Sequence, residues 1–514
     1  MAMRSRMFVP GAVLVDAGPQ ASVLVGIPPC LKQFLRQHID PPTTFVVPDT
    51  FHRHGIAQVA LEFFLYHFLF VRGKAFGKLP EDARLVVIGT TAQLVRARAL
   101  VAHALAGSSP EEMATWTDDD GRAAMTPETI ALLRRYRAWF APKRPGFRAT
   151  GDAAAQLVQH EAAMWTQEEL IEWRAYDDHG CAVLTPGVII THCGNDRCTV
   201  VDASGEPLSI DLGDAAGQLA ALIALHPKAA PRAAEVFGVH CLGSDSGFEP
   251  EHPTTGFAIA LYGAWALVDA PIGAPELLER HGIDPTNVRM IVETHGHEDH
   301  MGSAIAFLLG GWTTNASIMY VAAEPVYRTC VERLAALLDI SLQAATALFA
   351  RAFRGGVYRV QAGPVYTFCG AHWQFAWTVH PVPTMGFRVS CAPHGRSYAL
   401  AYSSDTAGHR GALGMDAMAA AGLFDPRNDP FSVLVRGDES LVLWEAGGTH
   451  GDPIHVDVRE WASMCATHGR TIPAAFMHTR MLPAECSTYA LARPGWHVTL
   501  VPPPVRRSRQ RRAA

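Results

Sequence analysis

A chain of 514 residues is longer than one hydrophobic core usually serves, so the length predicts two domains or three. Hydrophobic residues make up 49% and charged residues 18%, which excludes a disordered chain, and a net charge of −6 argues against a surface built to coat nucleic acid. The ten cysteines are scattered rather than gathered into a short disulfide framework, which predicts a reducing, cytoplasmic setting.

The opening MAMRSRMFVPGAVLVDAG has two arginines but no continuous apolar segment behind them. The run VALEFFLYHFLFV (59–71) is only 13 residues long and holds Glu62 and His67. Neither reads as a signal peptide or a spanning helix, and no membrane association is expected. Apolar runs in residues 1–80 are broken by GIPP, DPPTT and VPDT. ARLVVIGTT (83–91) then reads as a buried strand ending in a turn, which suggests α/β organisation. Within 110–180, APKRPGFRATG (141–151) is loop-like and AAAQLVQHEAAMWTQEELIEWRAY (153–176) is helical in pattern. CAVLTPGVIITHC and CTVVDASGEPLSIDL follow as a strand pair. Cys193 and Cys198, in HCGNDRC, have no second pair of matching spacing, so a plain turn carrying buried thiols is preferred to a structural zinc.

Near residue 236 the texture changes to short strands, Gly-rich turns and clustered histidines. The predicted division is an amino-terminal region at 1–235, a catalytic domain at 236–505 and a basic tail at 506–514, whose RRSRQRR reads as a solvated, frayed end.

The densest chemistry lies in NVRMIVETHGHEDHMGSAIAFLL, an apolar strand, a polar loop and a small-residue helix start. His295 and His297 are one residue apart, so in an extended segment both can face one metal. Asp299 and His300 lie a turn further on and can address a second, adjacent ion. Neutral imidazole and carboxylate are ligands that Zn²⁺ and related divalent ions accept.

THGHEDHMG resembles the histidine-rich signature of the metallo-β-lactamase superfamily. The resemblance implies an αββα sandwich with a binuclear metal site at one rim across residues 236–505, and an additional amino-terminal α/β domain outside it. Further family elements follow in order. FAIALYGAWALVDAP resembles an early strand ending in Asp269, TVHPVPTMGFRV supplies His380, YALAYSSDTAG supplies Asp405 and PAAFMHTRM supplies His478. By this resemblance His295, His297 and His380 hold one metal, Asp299, His300 and His478 hold the second, and Asp405 bridges. Two divalent ions are implied, zinc first with manganese or iron as alternatives. They would sit about 3.5–4 Å apart and share the water that attacks the substrate. A single histidine is ordinarily a core or surface residue, and His252, His394, His409 and His497 have no such supporting pattern.

The superfamily cuts several kinds of bond, and a fold does not choose among them. LVLWEAGGTHGDPIH (441–455) runs an apolar strand into Glu445. It resembles the strand-end element of the ribonuclease Z and cyclic-nucleotide phosphodiesterase branch, where a glutamate supports a histidine that protonates a leaving alkoxide. Here Trp444 replaces the usual histidine, so His455 is the first choice for the proton donor and His450 the second, with Asp299 also counted as catalytic. CLGSDSGFEPEHPTTGF (241–257) resembles that branch's first Gly/Ser-rich loop, which could line the substrate site. The reading is a hydrolase acting on a small phosphodiester such as a cyclic nucleotide. A thioester or lactone hydrolase, a ribonuclease, and a regulatory or scaffold protein with a structural metal site are the alternatives. Nucleic acid is not the favoured partner, and ligand sensing or a homodimer interface remain open for residues 1–235.

Overall fold

The computed structural model describes residues 4–501, apart from 9–10, 17–21, 29–30, 54–55, 186, 203, 214–228, 233–234, 250–251, 270–272, 314–316, 451–453, 468, 470–471 and 480; the basic tail lies outside the described residues.

Two seven-stranded sheets dominate the carboxyl-terminal half. The first has the order Gly356–Val360, Met319–Ala323, Val288–Glu293, Ala264–Val268, Gly256–Leu261, Phe237–Gly243, His497–Val501. Its pairs from Ala264–Val268 to Gly356–Val360 are parallel. Its other pairs are antiparallel. The second has the order Val365–Phe368, Ala371–Trp377, Met385–Cys391, Tyr398–Tyr402, Leu441–Glu445, Ala474–Met477, Ala490–Leu491.

Gly256–Leu261 and Leu441–Glu445 are buried at every position. Continuous burial means that both faces of these strands are covered, one by the other sheet and one by helices. Phe257 meets Tyr402 edge-on across the two sheets, with ring centroids 4.8 Å apart. The period-2 alternation of Leu441–Glu445 sorts its side chains between two cores. Leu441 and Leu443 join the inter-sheet core, whereas Val442 and Trp444 join an outer cluster with Phe431 and Trp461. The layers are those of an αββα metallo-β-lactamase sandwich.

The amino-terminal region adds a six-stranded sheet, with the order Arg4–Phe8, Ala12–Asp16, Ser22–Val25, Thr44–Val46, Leu85–Gly89, Ile171–Ala175. ARLVVIGTT supplies its strand Leu85–Gly89, which turns into helix Thr91–Val101 through a Thr90 and Gln93 capping box. Two expectations need correction. The helical pattern at 153–176 is helix only over Ala153–Ala163, with a short turn at Gln167–Leu170. Ile171–Ala175 is a strand pairing parallel with Leu85–Gly89, because pairing buries Ile171 on the sheet and satisfies its backbone. The expected strand pair is a four-stranded antiparallel sheet, Pro207–Asp211, Arg197–Val201, Val188–Gly194, Cys181–Thr185. Its central turn places Asn195 and Asp196 at φ 53° and 59°, the left-handed pair that a two-residue hairpin favours. Of the two thiols beside it, Cys198 is buried but Cys193 is exposed.

One face of the six-stranded sheet packs Val13, Val23 and Ile88 against Ile190, Val200 and Ile210 of the four-stranded sheet. On the other face Leu14, Phe45 and Val87 join the same core cluster as Phe257 and Leu443. The two halves of the chain therefore share continuous apolar packing. Arg96 adds to this by donating to the carbonyls of Ala336 and Leu337 at 2.8 and 3.0 Å. The run 59–71 forms helix Glu62–Tyr66 continued by a π-turn at His67–Val71. Among the described residues no single helix is long and apolar enough to cross a membrane.

Candidate metal centre

The loop after strand Val288–Glu293 is held before it reaches its histidines. Asp269, at the end of the neighbouring strand, accepts from the Thr294 backbone N–H at 2.8 Å, from the Thr294 hydroxyl and from Tyr402 Oη at 2.9 Å. Asp269, Ser404 and His478 follow strands and adopt φ of 43°, 53° and 63°. Such left-handed backbone costs on the order of 1 kcal/mol or more per residue and persists only where the surroundings over-determine it. His297 then caps helix Glu298–Leu309, whose first turn carries Asp299 and His300. His380, Asp405 and His478 arrive just beyond strands Ala371–Trp377, Tyr398–Tyr402 and Ala474–Met477 of the second sheet.

These segments converge. Ligand atoms of His295, His297, His380 and Asp405 lie within 4.8 Å of one another, and so do those of His300, Asp405 and His478. Asp405 is common to both groups: one oxygen is 3.7 Å from His295 Nε2, and the other is 3.5 Å from His300 Nε2 and 3.2 Å from His478 Nδ1. Asp299 sits at the edge, with Oδ2 3.9 Å from His300 Nε2, and groups with His297 and Glu62 rather than with His478.

The donor set fits divalent cations. Nε2 of His295 and Nε2 of His300 are buried without a hydrogen-bond partner, which is costly for a buried polar atom unless a bound group supplies one. Burial, reinforced by neighbouring histidines, holds His295 and His380 well below the usual imidazole range. Burial likewise lowers His297 to about 4. These rings are therefore neutral, the form that binds metal. For His300 burial acts in the same direction but is outweighed by Asp405, Asp299 and Asp269, which raise it to about 10. Asp405 stays well below the carboxylate range, because His478 and His300 outweigh the effect of burial. This excess of carboxylate charge is what metal dications can balance.

Beside the cluster, Glu445 accepts from the backbone N–H groups of Thr406, Gly447 and Val456 at 3.1, 3.2 and 3.0 Å. It also bonds His455 Nδ1. The His455 ring stacks on His478 with centroids 4.8 Å apart. A Cβ on Gly447 would lie 3.0 Å from His478 Cδ2 and 3.1 Å from His455 Cγ, so a larger residue would crowd both rings. His450 ends the turn Gly447–His450, and its side chain lies outside the described residues. Trp444 points into the outer core and takes no part. His409 pairs with Asp416 and Asp429, His497 lies near Glu235, and neither they nor His252 and His394 enter the ligand groups.

Above the cluster opens a cavity of about 410 Å³. Phe63, Tyr66, Phe70 and Phe76 form one wall, and Ser246, Gly247 and Phe248 of the Gly/Ser-rich loop form another. Lys32 pins that loop by donating to the carbonyls of Ser246, Glu249 and His252 at 2.9, 2.5 and 2.9 Å.

The residues missed in the sequence include Thr294 and Tyr402, which hold Asp269, and two from the amino-terminal region. Tyr66 Oη lies 3.2 Å from His297 Nε2. Glu62 accepts from the Glu298 backbone N–H at 3.0 Å and pairs with Arg333 at 2.8 Å. A lone glutamate inside an apolar run was the available signal, since buried carboxylates are rare unless paired.

Residues 252–384 match the family model described as the metallo-beta-lactamase superfamily. The cGMP-dependent 3',5'-cGMP phosphodiesterase A of Dictyostelium discoideum is 30% identical over 171 residues, covering 33% of this chain and 18% of that protein. The chain thus spans less than a fifth of that relative's length. Among solved structures, the metallo-beta-lactamase fold protein YhfI from Bacillus subtilis is 15% identical, with a TM-score of 0.36, covering 51% of this chain and 98% of that one. A long form RNase Z from yeast is 10% identical, with a TM-score of 0.38, covering 95% of this chain and 71% of that one. With the family match lying on the segment that carries the histidine loop and His380, this chain carries a domain of the metallo-beta-lactamase superfamily.

Proposed function

We propose that the protein is a binuclear metal-dependent phosphodiesterase acting on a small phosphodiester such as a cyclic nucleotide. In this reading the catalytic domain spans residues 236–505, and residues 1–235 form an α/β region packed against it. His295, His297 and His380 would hold one ion, and His300, His478 and Asp299 the other, with Asp405 between them. Two divalent ions there, zinc by the donor set, would supply Lewis acidity toward the phosphoryl group and an activated water.

The observation that carries the substrate class is the pair of Glu445 and His455 beside the ligand cluster. An alkoxide leaves poorly without a proton, and a positioned acid accelerates such a departure roughly 10²–10⁴-fold. Glu445 orients His455 through Nδ1, so Nε2 is the nitrogen that would deliver the proton. His450, which ends the preceding turn Gly447–His450, is the alternative donor. A cavity of about 410 Å³ suits a mononucleotide-sized ligand. Its aromatic wall suits a planar base, since base stacking on aromatic side chains is favourable. The relative from Dictyostelium discoideum, a cGMP phosphodiesterase by name, supports the same class. All nine cysteines among the described residues are free, in keeping with a reducing compartment such as the cytoplasm.

The test is a screen of the metal-loaded protein against cyclic nucleotides, bis-(p-nitrophenyl) phosphate, thioesters and lactones. Turnover of the phosphodiesters is the expected result. Efficient hydrolysis of thioesters or lactones alone would replace the substrate class while keeping the metal centre.

A further inference from the structure

Tyr66 lies far outside the segment that matches the family model, on the short helix Glu62–Tyr66. Its hydroxyl donates to the carbonyl of Ala104 at 2.7 Å, and the same oxygen is 3.2 Å from His297 Nε2. A tyrosine hydroxyl has one proton. With that proton on Ala104, toward His297 the oxygen can only accept, so the His297 N–H sits on Nε2. A neutral imidazole has a single N–H, which leaves a lone pair on Nδ1. Nδ1 is the atom that lies 3.3 Å from His380 Nε2 inside the first ligand group.

We propose that Tyr66 is a positioning residue of the metal centre, selecting the His297 tautomer that ligates through Nδ1. The amino-terminal region is then a working part of the site. This inference rests on the binuclear reading above.

Two further observations support it. Burial of the Tyr66 hydroxyl is already satisfied by Ala104, so packing alone does not call for the second contact with His297. The helix that carries Tyr66 is also registered against the ligand loop. Glu62 receives the N–H of Glu298, the residue after His297, and Arg333 bridges Glu62 and Glu298 at 2.8 and 2.9 Å. The Tyr66 ring meets His297 edge-on, with centroids 5.6 Å apart, and stacks on Phe70 at 5.7 Å. Hydrogen bonds that orient a ligating histidine typically affect metal affinity 10- to 100-fold.

The experiment uses the full chain and the variant Tyr66→Phe, which keeps the ring and removes the oxygen. Zinc affinity is read by competition with a chelator, the unfolding temperature is measured on metal-free protein, and the His297 tautomer is read from long-range ¹H–¹⁵N spectra. The expected result is a loss of affinity at one of two sites by about tenfold or more. The metal-free unfolding temperature should fall only by what the lost hydrogen bond to Ala104 costs, and the control Tyr358→Phe, at an exposed tyrosine outside the cavity, should bind zinc like the wild type. Two ions bound equally tightly by wild type and Tyr66→Phe would overturn the role of Tyr66. A wild type that binds no zinc would overturn the metal reading beneath it. Should Tyr66→Phe fail to fold, the wild-type spectrum decides, because a His297 protonated on Nδ1 in the metal-free protein contradicts the proposal.

Discussion

Glu445 holds His455 with both carboxylate oxygens, Nδ1 lying 3.1 Å from Oε1 and 3.0 Å from Oε2. If His455 protonates the leaving alkoxide, His455→Ala should lower kcat on a substrate with a poor leaving group by roughly 10²-fold or more. An activated aryl phosphodiester should hardly respond, since p-nitrophenolate departs without a proton. Glu445→Gln should show the same contrast in weaker form. The comparison is made on kcat, because a loss confined to KM reports binding alone. If His450→Ala shows the contrast instead, the donor is reassigned; if neither histidine variant does, the acid role of this turn is wrong.

Asp405 is shared by the two ligand groups, so its loss should disturb both. Elemental analysis of protein purified without chelators should find close to two divalent ions per chain in the wild type. His295→Ala combined with His297→Ala should leave about one, and Asp405→Ala fewer than that. Removing the metal from wild type should also lower stability. Free metal at about a hundredfold above its Kd stabilises by roughly 2.7 kcal/mol per site. Equal unfolding curves with and without chelator would contradict bound metal.

Asp299 lies at the edge of the cluster in the first turn of a helix, not in the inter-sheet core. Asp299→Ala should therefore abolish turnover while keeping a single cooperative unfolding transition. Full activity in that variant would count decisively against the binuclear mechanism.

Arg333 is buried between Glu62 and Glu298, with both pairs under 3 Å. Removing the cation leaves the buried Glu62 carboxylate facing the half-buried one of Glu298. Breaking such a pair from one side costs about 3–5 kcal/mol. Arg333→Met should show a loss of that order in denaturant unfolding, and because Glu62 sits on the helix that carries Tyr66, zinc affinity should fall with it. A variant with wild-type stability would mean that this ion network contributes little.

How much of this was legible in the sequence depended on the range of each cause. The ligand loop at 295–300 could be read directly, because metal ligands must be particular residue types and here four fall within six positions. His380, Asp405 and His478 were legible only through the family resemblance, by their order along the chain and their places at strand ends. The strand Leu85–Gly89 was visible because a short apolar run between turn residues has few alternatives. The stretch at 171–175 was misread because its local pattern is compatible with a helix, and only pairing with Leu85–Gly89, far away in the chain, makes it a strand.

Tertiary structure alone decided the rest. Trp444 looked like a gap in the expected pattern, yet strand alternation turns it into the outer core with Phe431 and Trp461 while Glu445 faces the site. The run 59–71 carried the composition of a buried segment, with Glu62 as a local hint of a paired carboxylate and nothing to point to Tyr66. That its Tyr66 touches His297 follows from how the two halves pack across 231 positions of chain. Ligand chemistry is local and restricts residue identity, so the sequence by itself brought out the candidate ligand set. Which tyrosine, glutamate or lysine supports that set is decided by packing, which many residue types can satisfy and which leaves no mark in any short stretch of sequence.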